Sequence, residues 1–539
     1  MFQKALDRIR ETRENHGLGY TLRRLGEKAS QEVLGTYDRR RKREAATAEE
    51  LRDQRAHQPD AGLISVVIPV YNTDPGMLSA LLDSLENQTY EHFEAVLYDG
   101  AGNRAETLAV LQDRCREQPR FRLVRGGENL GISGNTNEAV KHARGEYVAL
   151  CDHDDLLTPD ALWRMADYIE KNQPDMVYSD EDRITEGGRR HMDPHYKPDY
   201  CPDTLVSDNY ICHLTVIRKA LLEETGGLRS GFDGSQDHDL FLRIAEKTDR
   251  IGHVPYVLYS WREVASSRSH RDLWTCLLNS CRAAEEHEAR LGRKAEAIPV
   301  QKAVRLWYDV PEDASVEALV HGDSEDICRE CLGELEFRTD WPNLTGSLLV
   351  AGEEERIPLI NEAARSSTAD YLLVLDARVT EMNRYFIREM LMYAQRDDVA
   401  GVTGALTDRK GRLTHGGFVL GGGRPARCAG EGTTVLAGGR YDQMKKVHNI
   451  SAVSLGCLLV KRANWLDLNE QYAGGLAAAD LGLRQRQAGK WFVYTPHATA
   501  QLEKCAMLLS GDMGNAQDEA RFETAWGKDL RDPCSGRMY

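Results

Sequence analysis

The texture of the chain changes at Ile64. Ahead of it, residues 1 to about 60 are dense in Glu and Arg, with Leu6, Ile9, Leu22 and Leu25 at roughly helical intervals, which predicts a charged helical extension. From Ile64 the chain reads ISVVIPVYN, a β-branched run ended by Pro69 and Asn72, which predicts a buried parallel strand running into a loop. A helix follows with Leu78, Leu81, Leu82 and Leu85 on one face. FEAVLYDG predicts a second strand ending at Asp99, FRLVRG a third ending near Arg125, NEAVKHARG a helix, and EYVALCDHDD a fourth strand ending in acids. Strands alternating with helices predict an α/β fold with a doubly wound, mostly parallel sheet, whose ligands bind beyond the carboxyl ends of the strands. Asn72, Asp99, Asn129 and Asp152 all fall at or just past such ends.

The pattern then repeats. Asn137, Glu138 and Ala139 precede Asp152, which lies 15 residues after the Asn, and Asn361, Glu362 and Ala363 precede Asp376 at the same interval. The strand EYVALCD returns as DYLLVLD, and DLFLR at Asp239 returns as DLGLR at Asp480, each with a proline 16 residues on, Pro255 and Pro496. Matched intervals of this kind point to two copies of one fold, about 61–300 and 301–539, after the extension at 1–60. The Gly-rich stretch 421–439 is then a longer loop of the second copy.

Composition narrows the function. At 539 residues the chain exceeds the ~250 to 300 that one core supports, so at least two domains are expected. No apolar run reaches a membrane span, and the N-terminus lacks a secretory signal, so the expected location is the cytosol. A net charge of −16 argues against nucleic acid, whose binding is driven by Lys and Arg. Arg39, Arg40, Arg41, Lys42 and Arg43 form a basic run that reads either as a peripheral contact to anionic headgroups or as a solvated helix face. Cys328 and Cys331 form a lone CxxC, read as thiols on one helix of a reduced protein.

Asp152, Asp154 and Asp155 cap an apolar strand, where negative charge calls for a positive partner. A divalent cation, Mn²⁺ or Mg²⁺, would bind one or two such carboxylates and complete its shell with water and phosphate oxygens, although Asp-x-Asp alone is more often a cap or a solvated loop. In GSQDHDLFLRI, Asp239 reads as a structural acid in the first helical turn. Asp237 is left as a general base for an acceptor hydroxyl, with helix capping as its alternative.

Taken together, IPVYN, the strand ending in Asp99, NLGISGNTNEA, CDHDD, YSDEDRI, NYICH, SQDHDLFLR and VPYVLYSWR resemble, in their order, the family 2 glycosyltransferases of the GT-A fold, over about residues 64–265. The second half is similar to the companion domain of two-domain bacterial members. The resemblance implies a nucleotide-diphosphate-sugar pocket at Pro69, Asn72, Asp99, Asn129, Gly131 and Asp152, a metal site at Asp152 and Asp154, and Asp237 as base. It implies an inverting hexosyl or deoxyhexosyl transfer to a glycan or lipid-linked oligosaccharide, as in bacterial surface polysaccharide assembly at the inner face of the membrane. One departure stands out: YSWR has Ser260 where relatives carry a histidine that is a candidate third metal ligand. His253 and His270 are replacements in principle but read better as structural or surface residues.

The second copy reads as catalytically dead. Arg378 falls at the position of Asp154, and Ala478 at that of Asp237. An arginine repels a cation and an alanine accepts no proton. Its Gly-rich loop lacks the strand-to-helix context of a phosphate cradle and reads as surface. Two other function classes compete with the enzyme. A non-catalytic glycan-binding or assembly module is disfavoured because the acids are lost in one copy and kept in the other. A sugar nucleotidyltransferase predicts a cationic Gly-rich loop after the first strand, where VYNTDPG carries no cation.

Overall fold

The structure, a computed structural model, describes residues 36–264, 272–421, 425–430, 432–435, 438, 440–472, 474–502, 516–527 and 530–536. Leu6, Ile9, Leu22 and Leu25 therefore lie outside the described residues. The chain divides into two compact units: one runs to Tyr200 and resumes over Asn209–His287, and the other joins Cys201–Asp208 to the chain from Glu288 onward. The division at 287/288 falls ahead of the 300/301 boundary expected from the repeat.

In the first unit, helices α1 (Thr36–Glu44) and α2 (Ala48–Ala56) precede the sheet. Thr47 caps α2 by accepting the Glu50 N–H, while the Glu50 carboxylate returns to the Thr47 N–H, a reciprocal capping box. The strands are β1 (Ile64–Val70), β2 (Phe93–Asp99), β3 (Phe121–Arg125), β4 (Tyr147–Leu150), β5 (Leu156–Leu157), β6 (Met176–Thr185), β7 (His191–His195), β8 (Thr215–Arg218) and β9 (Ile251–Glu263). They lie in the order β3-β2-β1-β4-β8-β6-β9-β5, with β7 paired to β6. β1 to β4 are mutually parallel, β8 is inserted antiparallel between β4 and β6, and β6 and β9 are parallel again. β1 and β2 are buried along their whole length, as strands covered on both faces must be. Leu78, Leu81, Leu82 and Leu85 are fully buried against this sheet.

The second unit opens with a hairpin, β10 (Ala295–Val300) and β11 (Ala303–Tyr308). Its main strands are β12 (Val316–Gly322), β13 (Leu344–Val350), β14 (Tyr371–Asp376) and β15 (Val399–Thr407). The short β16 (Leu413–His415), β17 (Phe418–Leu420), β18 (Ala426–Cys428) and β19 (His448–Ile450) follow, then β20 (Cys457–Lys461) and β21 (Trp491–Gln501). The order β13-β12-β14-β20-β15-β21-β19 repeats the first sheet from β2 onward, with the same parallel and antiparallel sequence. The doubly wound, mostly parallel fold is thus present twice.

Each repeated interval has a physical anchor. Asn137 holds the backbone of Leu228 from both sides, donating to its carbonyl (2.7 Å) and accepting its N–H (2.9 Å), and Asn361 does the same to Leu468 at 2.9 and 2.8 Å. Asp239 accepts from Arg243 one turn on, as Asp480 does from Arg484. Near Pro255 and Pro496, which lack an N–H for the ladder, the pairing of β9 and of β21 slips register. The second copy also omits a piece. β13 runs at Val350 almost directly into the helix Glu353–Ser366, so nothing there corresponds to β3 or the loop after it.

Part of the Gly-rich stretch forms the β17–β18 hairpin, with residues 422–424, 431, 436, 437 and 439 outside the described set. Cys328 and Cys331 are buried free thiols on the helix Glu325–Arg338. Burial pushes the Cys331 thiol up, away from redox chemistry. Among the described residues, no helix is long and apolar enough to cross a membrane.

Candidate active site

The site is assembled from loops at the carboxyl ends of β1, β2, β3 and β4. Pro69 is buried within β1, and past the strand Asn72 adopts a left-handed φ of 51° and accepts the N–H groups of Asn103 (2.8 Å) and Arg104 (3.0 Å). Asp99 is buried at the end of β2, accepts the Gly102 N–H at 2.9 Å and faces Arg125 Nε at 3.0 Å. A side chain on Gly102 would meet Asp99 Oδ1 at 2.8 Å and Asn72 Oδ1 at 3.1 Å, so the loop must carry glycine there. Asn72 and Asp99 together fix the backbone of residues 102–104. Beyond β3, exposed Asn129 accepts from the Gly131 N–H (3.1 Å) and from Asn135 Nδ2 (2.8 Å). Gly131 has φ 77°, and its Cβ position is bounded by Asp233 Oδ2 at 3.1 Å. Ser133 donates to the same Asp233 at 2.6 Å, joining the Asn129–Gly131 loop to the segment that leads into Asp237.

The three acids after β4 have different environments. Asp155 is fully buried and accepts the Tyr259 hydroxyl (2.6 Å) and the Arg262 N–H (2.7 Å), which makes it structural. Asp152 and Asp154 are half-buried, and among the described residues no lysine or arginine side chain pairs with either carboxylate. Burial pushes the Asp154 carboxyl up. Asp152 is disfavoured by burial too, but the charge and hydrogen bond of His213, at 3.4 Å from its Oδ2, outweigh that and hold it below its usual value. Two such carboxylates fit the small protein share of a Mg²⁺ or Mn²⁺ shell, and among the described residues no cluster of three or more His, Cys, Asp or Glu offers a closed cage.

Asp237 lies in the first turn of the helix Gln236–Ala245 with Asp239. Asp239 is buried between the Arg229 and Arg243 guanidinia. Among the described residues Asp237 takes only a 3.0 Å hydrogen bond from Gln236 Nε2, and burial, opposed by His213 and reinforced by Asp152, pushes it up to about 6. A carboxylate with that value is suited to proton transfer near neutral pH.

His213, which sequence reasoning gave no role, joins these groups. Burial would lower its imidazole, but Asp152, then Asp237 and Asp155, raise it to about 10. The signal was present in NYICH, but its meaning depends on strand pairing. β4 and β8 pair antiparallel with Leu150 opposite Thr215, and carrying that register two residues further sets Asp152 opposite His213.

Of the replacement histidines, His253 is held with its ring nitrogens 2.9 Å from Asp180 and from Asp199, stacked on Tyr178, and serves the interior. His270 lies outside the described residues. Ser260 is buried on β9, its hydroxyl 3.4 Å from His191 Nδ1.

In the second unit, Asp376 ends β14 where the acids follow β4. Arg378 donates through Nε (2.8 Å) and a terminal nitrogen (2.6 Å) to its two oxygens, and the Arg378 N–H adds a third bond at 2.9 Å. Ala478 is buried in the helix Gly474–Gln487.

Comparison with known proteins gives the class of this doubly wound α/β unit with acids and glycine-shaped loops at its strand ends. The model of Glycosyl transferase family 2 matches residues 65–226. A glycosyltransferase of Bacillus subtilis, YwdF, is 30% identical over 215 residues, covering 38% of this chain and 77% of its own. The chain belongs to the family 2 glycosyltransferases. It is also similar to protein y4gI of Sinorhizobium fredii, 33% identical over 504 residues and 85% of this chain, and to the O-antigen biosynthesis protein RfbC of Myxococcus xanthus, 30% identical over 472 residues and 80% of this chain. The chain spans 55% and 36% of the length of those two relatives.

Proposed function

We propose that the first unit is an inverting glycosyltransferase that moves a hexosyl or deoxyhexosyl group from a nucleotide-diphosphate sugar to a hydroxyl of a glycan or lipid-linked oligosaccharide, in bacterial surface polysaccharide assembly. The observation that carries it is the division of acids: Asp237 is raised toward neutral pH within reach of the Asp152 charge, while among the described residues no Lys or Arg side chain pairs with Asp152 or Asp154. The name of the O-antigen relative supports the polysaccharide setting.

In this reading the loops at Pro69, Asn72, Asp99, Asn129 and Gly131 seat the nucleotide, with Asp152 beside the diphosphate. Asp152 and Asp154 would hold Mn²⁺ or Mg²⁺, which supplies positive charge against the departing diphosphate. Asp237 takes the proton of the acceptor hydroxyl as its oxygen bonds to the anomeric carbon. The bond from that carbon to the diphosphate oxygen breaks on the opposite face, and its electron pair leaves with the nucleoside diphosphate. One displacement inverts the anomeric configuration. The second unit, with Arg378 and Ala478, acts as a non-catalytic scaffold or acceptor-gripping domain. The same reading places the protein at the cytoplasmic face of the membrane, with exposed Lys42 and Arg43 on α1 attracted to anionic headgroups by about 1 kcal/mol each. The test is nucleoside diphosphate release from a panel of nucleotide sugars with Mn²⁺ or Mg²⁺ and acceptor extracts, where release from no donor would overturn the reading.

A further inference from the structure

Lys197 is wholly buried just past β7, and a buried ammonium persists only with its donors satisfied. Its Nζ donates to the backbone carbonyls of Ile211 and His213, each at 2.6 Å, and lies 3.2 Å from Glu181 Oε2 on β6. The same Glu181 oxygen accepts the His213 N–H at 3.3 Å. The peptide groups on both sides of His213 are therefore gripped, the N–H by Glu181 and the carbonyl by Lys197. We propose that Glu181 and Lys197 form a positioning clamp that fixes the turn Ile211–His213 and so sets the His213 ring against Asp152 in the active site.

The acid of the clamp is held as a carboxylate. Burial would push the Glu181 carboxyl up, but Lys197, with His195 and His213, holds it down at about 2. The ring that the clamp presents also packs against Tyr259, 5.0 Å between centroids, and Tyr259 in turn accepts the Asp152 N–H and donates to Asp155. A shift of the turn would thus reach both sides of the acid cluster.

Helix α1 buttresses the residues next to the clamp. Tyr37 donates to Asp182 Oδ2 at 2.7 Å, and Arg41 Nε lies 3.3 Å from the same oxygen, beside Glu181. Arg40 lies 4.8 Å over the ring of Tyr196, whose hydroxyl donates to Glu44 at 3.4 Å, beside Lys197. Part of the basic run is thereby folded onto the strands that carry the clamp.

The inference rests on the glycosyltransferase reading, and its test separates the two. The full chain, metal-free and with ¹³C-labelled histidine, is compared as wild type and Lys197→Met, with His213→Gln to assign the ring signal and thermal melting to establish folding. The expected result is displacement of the His213 ring signal while those of His253 and His287 stay in place. With an active donor, turnover falls about 100-fold, as misplacement near 1 Å does, and donor KM stays within about threefold. An unmoved His213 signal, or turnover within twofold of wild type, overturns the clamp. Were Lys197→Met not to fold, Glu181→Gln, which keeps an acceptor for the His213 N–H and removes the charge, is read by the same criteria. Were wild type to turn over no donor, the functional reading would fall while the ring signal still decided the clamp.

Discussion

Arg378 closes a two-point ion pair on Asp376, whereas the corresponding Asp152 of the first unit has the His213 ring 3.4 Å away and, among the described residues, no Lys or Arg partner. In the proposed reading, this side-chain cation closes the second site. Arg378→Ala should leave the rate of the first unit within twofold and lower stability at neutral pH by about 1 to 3 kcal/mol, less than for a fully buried pair because Arg378 is partly exposed. Burial disfavours the Asp376 carboxylate, but Arg378 outweighs it and holds its folded pKa low, so this stabilisation is present above the ordinary carboxylate value and is lost as pH falls through the folded one. Thermal melts of both proteins at pH 7.5 and pH 3 check the sign: the gap between them should narrow in acid.

Asp237→Asn should keep donor binding and lose turnover by about 10²- to 10⁴-fold, the usual contribution of a general base. Initial rates and calorimetric donor titration separate the two effects. The folded pKa of Asp237 is raised, chiefly by burial, so its ionised form opposes folding above about pH 6. The same variant is therefore expected to melt higher than wild type at pH 7.5 and level with it below pH 4. Equal melting at pH 7.5 would contradict the burial argument.

The pH profile of kcat/KM follows from the same group. The base must be deprotonated to accept the acceptor proton, so activity should decline as pH falls below about 6, the value to which burial pushes Asp237. A bound cation would lower that value, so the acid limb should lie at or below 6. A limb near 8 would point to another base.

Asn137 and Asn361 clamp Leu228 and Leu468 in the same way, so their truncations should behave alike in stability and differently in activity. Each alanine variant leaves a buried N–H and carbonyl without a partner and should cost about 1 to 3 kcal/mol. Only Asn137→Ala is expected to slow turnover as well, because Leu228 leads into the segment that carries Asp233 and Asp237.

Much of this was legible in the sequence where the cause is local. β1 and β2 announce themselves as apolar runs, the leucines of the helix Pro75–Glu86 share a face, and Asp99 and Asp152 stand where β2 and β4 stop. The repeat was legible because each anchor recurs at a fixed interval. What stayed hidden depends on pairing between distant segments. The contact of His213 with Asp152 follows from an antiparallel strand inserted into a sheet that reads as parallel, and the seat of α1 on Asp182 joins residues 145 apart. The missing β3 of the second copy was likewise unreadable, because a deletion leaves no residues to mark it.

The most direct measurement is a side-by-side comparison of nucleoside diphosphate release by wild type, Asp237→Asn and Asp376→Asn, with one active donor and saturating Mn²⁺. One working site and one closed site require that Asp237→Asn lose at least about 100-fold while Asp376→Asn stays within twofold of wild type. Comparable losses in both variants, or none in Asp237→Asn, would contradict that assignment.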